Sequence, residues 1–409
     1  MDNQIVYFCE LIKNIIHINE GCYFQGEVDW SYLVQLAKEH NILALFVEGA
    51  SKHYSFISRP EYEKEMNESI AIVSAQVRRT SAFLKLYEAF VEADLHPIVM
   101  KGLICRELYG ALGDHRPSGD EDILIRPSEY ELAKRILIEN GYISEIEKET
   151  ESQIERLQEV SFIHPKERLH IELHLNSMGR ETEDRAQMSD YFTNVFENYR
   201  EVEIQGVTVR TMNHQDHLAF LILHAFKHFM LFGFGIRQVL DILLYQKNFG
   251  KEVDLVELDK TLCKFKASSF WNDIIYIGNR YLGFELSTIK EPTCPDELLN
   301  NILQCGVFGS KSEAEVTAGR ATMRVSSNHT NNKSSNMFVV VWRSIFPSKV
   351  YMLDQAPYLL KKPWLLPFAW FRRWCRFVNR SKGANANLTV ESMKISQRRM
   401  KVLKKYDLV

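Results

Sequence analysis

The sequence predicts an α+β protein, with a small mixed sheet over about residues 95–212 set between helical regions on both sides. Three observations carry this reading. Before residue 95 and after His214, apolar residues recur at three- and four-residue steps, the period of a helix with one buried face. Between these regions the apolar runs are short: His96-Pro-Ile-Val-Met, Asp122-Ile-Leu-Ile, and Leu169-His-Ile-Glu-Leu-His-Leu, the last in alternation. Turn-forming stretches such as Gly113-Asp-His-Arg-Pro-Ser-Gly separate them.

In chain order, Asp29 starts a helix through Trp-Ser-Tyr-Leu-Val-Gln-Leu. A longer amphipathic helix runs from about Glu61 to Ala93, with Val73, Val77, Phe83, Leu84, Tyr87 and Phe90 on its apolar face. The first strand ends at Lys101-Gly102, and a helix follows from Leu103 to about Leu112. The second strand holds Asp122-Ile-Leu-Ile. Ser128-Glu-Tyr-Glu131 fits a capping box, followed by a helix burying Leu132, Ala133, Ile136 and Leu137 and closed by Gly141. Tyr142–Glu147 is a third strand. Val160–His164 and Leu169–Leu175 form a hairpin around Pro165-Lys-Glu, and a strand pair occupies 201–212. The domain division expected is 1–94 (helical), 95–212 (sheet), 213–308 (helical), 309–336 (a polar linker of Ser, Asn, Thr and Lys) and 337–409 (basic and aromatic).

Composition narrows the class. Of 409 residues, 45% are hydrophobic and 25% charged, which excludes a largely disordered chain, a collagen-like repeat or a disulfide mini-scaffold. No apolar run approaches the ~18 residues of a membrane span. The first residues carry an early acid and no small-residue cleavage site, so no signal peptide is expected. Seven scattered cysteines without a C-x-x-C pair suit reduced thiols and a cytoplasmic location. The net charge of −3 is uneven: Lys361–Val409 holds thirteen Lys/Arg and two acids, +11, which leaves −14 for the rest.

The most informative segment is Gly119-Asp120-Glu121-Asp122. Residues two apart on a strand share a face, so Asp120 and Asp122 aim at one point, where paired carboxylates suit a hard cation such as Mg²⁺ or Mn²⁺. Glu172, on the polar face of an alternating strand, is the candidate third carboxylate of a two-metal site. The bland alternative is that both aspartates are solvated turn residues. Upstream, Lys101-Gly102 offers a cation, a flexible backbone and a helix start, three features that meet phosphate. Glu121 points to the other face and reads as structural.

Met100-Lys101-Gly102-Leu103, Leu108-Tyr109, Arg116-Pro-Ser-Gly119-Asp120-Glu-Asp122-Ile-Leu-Ile, Gly141-Tyr142, Glu172-Leu-His174 and the helical set Asp216, His224, His228 and Asp241 resemble the bacterial family of uncharacterised nucleotidyltransferases, within the superfamily of DNA polymerase β. The resemblance spans roughly residues 30–380. It implies the nucleotidyltransferase fold and metal-dependent transfer of a nucleoside monophosphate from an NTP, ATP first, to an acceptor: a small molecule, a sugar or a peptide. Asp120, Asp122 and Glu172 would hold the metal, and Lys101, Gly102, Arg116 and Gly119 the nucleotide. Two departures stand out. Lys101-Gly102 replaces the Gly-Ser usual in the wider superfamily, and the third carboxylate is Glu rather than Asp. Kinase-like phosphotransfer on the same fold, or a degenerate nucleotide-binding scaffold in a biosynthetic cluster, are the rival readings.

Other residues carry two readings each. Arg116 clamps phosphate, or pairs with Asp114 or the carboxylate cluster. His174 borders the acceptor site, or bonds within the sheet. Asp216, His224 and His228 line the cleft or an interdomain contact; a zinc site on the two histidines lacks an evident third ligand. Asp241 beside Arg237 reads as a structural pair. Cys105 reads as packing. The segment from Lys361 to Phe377 interleaves cations with Trp364, Trp370 and Trp374, which suits docking on the acidic body, contact with a membrane surface, or, last, nucleic acid.

Overall fold

The computed structural model describes residues 2–17, 24, 26–144, 158–180, 183–231, 233–305, 346, 352, 356, 359, 362–381 and 401–408. The polar linker and the apolar run from Met337 fall outside the described residues. The chain divides into two compact units, one of residues 1–226 and 235–299, the other of 227–234 and 300–409.

The first unit is an α+β fold built on a seven-stranded mixed sheet. Its strands are β1 (Ile98–Val99), β2 (Asp120–Leu124), β3 (Ile143–Ser144), β4 (Glu159–His164), β5 (Leu169–His174), β6 (Tyr199–Ile204) and β7 (Val207–Met212), in the order β3-β4-β5-β2-β1-β7-β6. β2 lies antiparallel to β1 and parallel to β5, which puts it in the middle of the sheet. The β4–β5 hairpin, edged by β3, and the β6–β7 hairpin flank the centre. Gln205 and Gly206, both with positive φ, make the tight turn of the second hairpin.

Helices α1 (Asn3–Ile16), α2 (Trp30–Glu39), α3 (Leu43–Ala50) and α4 (Tyr54–Ile57) precede α5 (Tyr62–Glu92). The second half of α5 buries Phe83, Leu84, Leu86, Tyr87 and Phe90 against one face of the sheet, where Ile123, Phe162, Ile171 and Leu173 meet them. Its first half departs from the expected stripe. Val77 is exposed, while Glu65, Ser69, Gln76 and Thr80 are buried. Polar contacts replace apolar ones there: Arg59 pairs with Glu65 at 3.0 Å, and Gln76 accepts a hydrogen bond from the Ser118 amide at 2.9 Å.

Two boundaries also shift. The helix after Lys101-Gly102, α6, stops at Glu107, because Gly110 takes φ +56° and a 3-10 turn over Gly110–His115 replaces the expected second half. The capping contact before α7 (Tyr130–Glu139) comes earlier than the expected Ser128–Glu131: Glu129 accepts from the Arg126 amide at 2.8 Å, with Pro127 leading the turn. Beyond the sheet stand α8 (Glu183–Tyr191), α9 (His214–Leu231), α10 (Ile236–Phe249), α11 (Leu255–Lys264), α12 (Ser268–Tyr281) and α13 (Pro295–Cys305).

In the second unit, α14 (Leu366–Ser381) follows a 3-10 turn over Pro363–Leu365. Leu365 of that turn and Leu366, Ala369 and Trp370 of α14 pack with Met352, Ala356 and Leu359. Among the described residues, no helix is long and apolar enough to cross a membrane.

Candidate active site

The register of β2 against β5 assembles the site. Asp122 lies directly opposite Glu172, Asp120 opposite His170, and Leu124 opposite His174. The two-residue pleat therefore sets Asp120, Asp122, Glu172 and His174 on one face, with the apolar core on the other. β1 delivers the cation. The Met100 amide bonds to the Asp122 carbonyl at 3.0 Å, and the chain turns at Gly102 (φ +56°) into α6. Lys101 is left beside the carboxylates, its Nζ 3.0 Å from Asp122 Oδ2 and 3.9 Å from Asp120 Oδ2. His174 Nε2 lies 3.0 Å from Asp122 Oδ1 and 3.6 Å from Glu172 Oε2, and its Nδ1 3.6 Å from Glu159 Oε2 on β4.

The electrostatics follow from crowding these charges in a poorly hydrated place. Burial pulls the Lys101 ammonium toward neutrality, but Asp122, Asp120 and Glu172 outweigh it and hold the proton above the ordinary lysine value. Burial likewise opposes the charge on Asp122, and Lys101 and His174 more than reverse that, so its carboxyl falls below the usual range. Glu172 goes the other way. Burial and the neighbouring Asp122 charge push it up to about 7, against the attraction of His174, 3.6 Å away. Burial disfavours the His174 cation, yet its bond to Asp122 and the nearby Glu172 carboxylate raise it to about 9.

The opposite face of β2 carries Glu121, 1% exposed. Its Oε2 accepts from the Leu103 amide at 2.7 Å, and its Oε1 meets Arg106 Nη1 at 2.7 Å and the Ser118 hydroxyl at 3.2 Å. Gly102 is required beside it: a Cβ there would lie 2.0 Å from Glu121 Oε2.

The remaining sequence candidates sit as follows. Gly119 leads into β2 with open space where a side chain would go. Arg116 is turned to Asp241 on α10: Nε donates to Oδ1 at 2.8 Å and Nη2 to Oδ2 at 2.5 Å, while Nη1 is buried without a hydrogen-bond partner. The Tyr109 hydroxyl donates to the same Asp241 at 2.9 Å, and Arg237 donates to the Pro117 carbonyl. Asp241 thus pairs with Arg116 where Arg237 was the expected partner. Asp216 sits in the first turn of α9, which Asn213 caps: Asn213 Oδ1 accepts from the Asp216 amide at 2.9 Å, and Asn213 Nδ2 donates to Asp216 Oδ2 at 2.6 Å. His224 is buried, its ring 5.6 Å from that of Phe220. His228 falls in the second unit. Cys105 is buried, which pushes its thiol up to about 12. Sequence reasoning passed over Arg106 and Glu159. The first was legible in principle, since a glutamate facing an apolar layer requires a cation. The second became visible only through the strand register.

The donor set can be tested against a metal ion. Ligand atoms of Asp122, Glu172 and His174 all lie within 4.8 Å of one another, and Asp120 is on the same face. Asp122 Oδ2 is buried without a hydrogen-bond partner, its nearest counter-charge the Lys101 ammonium. Oxygen-rich donors, with one buried carboxylate oxygen met only by the Lys101 ammonium, fit a hard divalent cation. No curated protein and no solved structure was found to match the chain. The family described as uncharacterised nucleotidyltransferase matches residues 26–283, a span holding the whole sheet and ending short of the 380 expected from sequence. With well over half of its length matched, the chain belongs to that nucleotidyltransferase family.

Proposed function

We propose that the protein transfers a nucleoside monophosphate from ATP to an acceptor hydroxyl or phosphate in the cytoplasm, with the face of β2 and β5 as its catalytic surface. The observation that carries this reading is the pairing of Asp122 with Glu172 across adjacent parallel strands, with Asp120 on the same face and Lys101 against it. Asp120, Asp122 and Glu172 would hold Mg²⁺ or Mn²⁺. The ion, when bound, neutralises phosphate charge and lowers the barrier to in-line displacement at the α-phosphorus. Lys101 and the turn at Gly102 hold the phosphates, and Gly119 lets the nucleotide approach the backbone. His174 keeps the Asp122 carboxylate oriented through its Nε2. Arg116 serves the site indirectly, fixing the loop from Gly113 to Gly119 through Asp241. In the reaction the acceptor oxygen bonds to the α-phosphorus, a hydroxyl acceptor giving its proton to solvent, while the bond from the α-phosphorus to the bridging oxygen breaks and pyrophosphate leaves. The acceptor is a small molecule, a sugar or a peptide.

The test is to incubate the protein with Mg²⁺ and a metabolite extract, using ATP labelled at the α- or the γ-phosphate. Label passing to an acceptor from α, and lost in Asp120→Asn with Asp122→Asn, is the expected result. Label passing from γ identifies kinase chemistry instead. No transfer, with nucleotide binding indifferent to those substitutions, favours a scaffold.

A further inference from the structure

The second unit carries a feature that nucleotide transfer does not use. Trp364, in the 3-10 turn that leads into α14, and Phe368 and Phe371, three residues apart on the helix, are 71%, 58% and 64% exposed. They are not exposed for want of packing in the helix as a whole. Ala369 of α14 is 3% exposed, and Leu365, Leu366 and Trp370 pack into the small core with Met352, Ala356 and Leu359. Part of the segment is committed inward, while three large rings face solvent.

The surrounding charge says what kind of partner covers them. Lys362 and Arg372 flank the rings and are exposed, and among the described residues no carboxylate pairs with either. From Lys361 to Val390 the sequence contains seven Lys/Arg and not one Asp or Glu. A protein partner's groove could take the rings, but it would not call for thirty residues free of acids. A surface with continuous negative charge and an apolar layer just beneath it matches both halves of the pattern. Rings of this size sit at the boundary between headgroups and acyl chains, and cations beside them meet lipid phosphates.

We propose that the face formed by Trp364, Phe368 and Phe371, rimmed by Lys362 and Arg372, is a peripheral docking site for an anionic phospholipid surface. The segment lies on the membrane and does not cross it. The interaction needs both contributions: the rings supply depth, and the cations select the headgroup charge. The acceptor of the transfer reaction would then be met at the bilayer, but docking stands or falls independently of catalysis.

The test is cosedimentation of the full chain with phosphatidylcholine vesicles and with vesicles in which about a third of the lipid is phosphatidylglycerol. Binding to the anionic vesicles, weakened by salt, is expected, with little binding to the neutral ones. The triple variant Trp364→Ala, Phe368→Ala, Phe371→Ala should lose binding by at least about tenfold while keeping the far-ultraviolet circular dichroism of the parent. Lys362→Gln with Arg372→Gln leaves the rings in place and should weaken binding to anionic vesicles by about fivefold per charge, leaving neutral vesicles unchanged. Equal binding of parent and triple variant to anionic vesicles overturns the proposal. So does binding of an oligonucleotide that requires the same rings while vesicles are ignored, or a dimer that dissociates in the triple variant without any vesicle binding by the parent.

Discussion

Asp120, Glu121 and Asp122 are consecutive acids on one strand, and the two faces of that strand treat them differently. Glu121 and Asp122 are equally buried, each 1% exposed. Glu121 has every charge answered locally by an amide, a guanidinium and a hydroxyl. Asp122 shares one oxygen with His174, and its other oxygen has a lysine ammonium but no hydrogen bond. Burial therefore does not mark a functional carboxylate. What separates the two is whether the protein itself completes the acid's coordination, and on the Asp122 face it does so only in part.

Substitutions sharpen this contrast. The largest effect on stability is expected for Glu121→Ala, which leaves Arg106 as an uncompensated buried cation and orphans the Leu103 amide. A loss of about 3–5 kcal/mol should appear in urea unfolding. Asp122→Asn should act on activity instead: transfer falls by about a hundred- to a thousandfold while the circular dichroism spectrum is retained. If Asp122→Asn unfolds the chain as readily as Glu121→Ala, the distinction between the faces is lost. Gly102→Ala lies between the two. Its methyl group would collide with Glu121 and strain a backbone at φ +56°, costing about 1–3 kcal/mol of stability and displacing Lys101, so both readouts should move.

A separate effect appears only in acid. His217 is wholly buried, and burial, reinforced by Arg200, lowers it to about 3. Unfolding restores its ordinary value of about 6.5, so between these values the unfolded chain binds a proton that the folded chain refuses. Stability therefore falls as pH drops below 6.5, by roughly 1.4 kcal/mol per unit at most from this residue. His217→Asn should flatten that part of the curve, and an unchanged slope in thermal melts between pH 6.5 and 4 would contradict the assignment.

Much of this was legible in the sequence because it depends on local periodicity. The alternation in Leu169–Leu175 placed Glu172 and His174 on one side, and the Asp-x-Asp spacing did the same for Asp120 and Asp122. Gly102 and the cation before it were legible as a turn. Contacts closed over long separations were not. Arg116 meets Asp241 across 125 positions, and no spacing rule distinguishes that partner from Asp114 or from a phosphate. The pairing of β2 with β5, which brings His174 onto Asp122, depends on strand order, and several orders fit the same apolar pattern. The first half of α5 misled for a related reason: its buried side is polar, held by Gln76 and Arg59 rather than by the period of its valines.

The Asp122 face is expected to bind a divalent cation, where the Glu121 face supplies its own cation in Arg106. Mn²⁺ titration followed by electron paramagnetic resonance tests this without needing the acceptor. The parent protein should take up Mn²⁺ saturably, and Asp120→Asn with Asp122→Asn should abolish that uptake in a chain that remains folded. Unchanged Mn²⁺ binding in the folded double variant would contradict it.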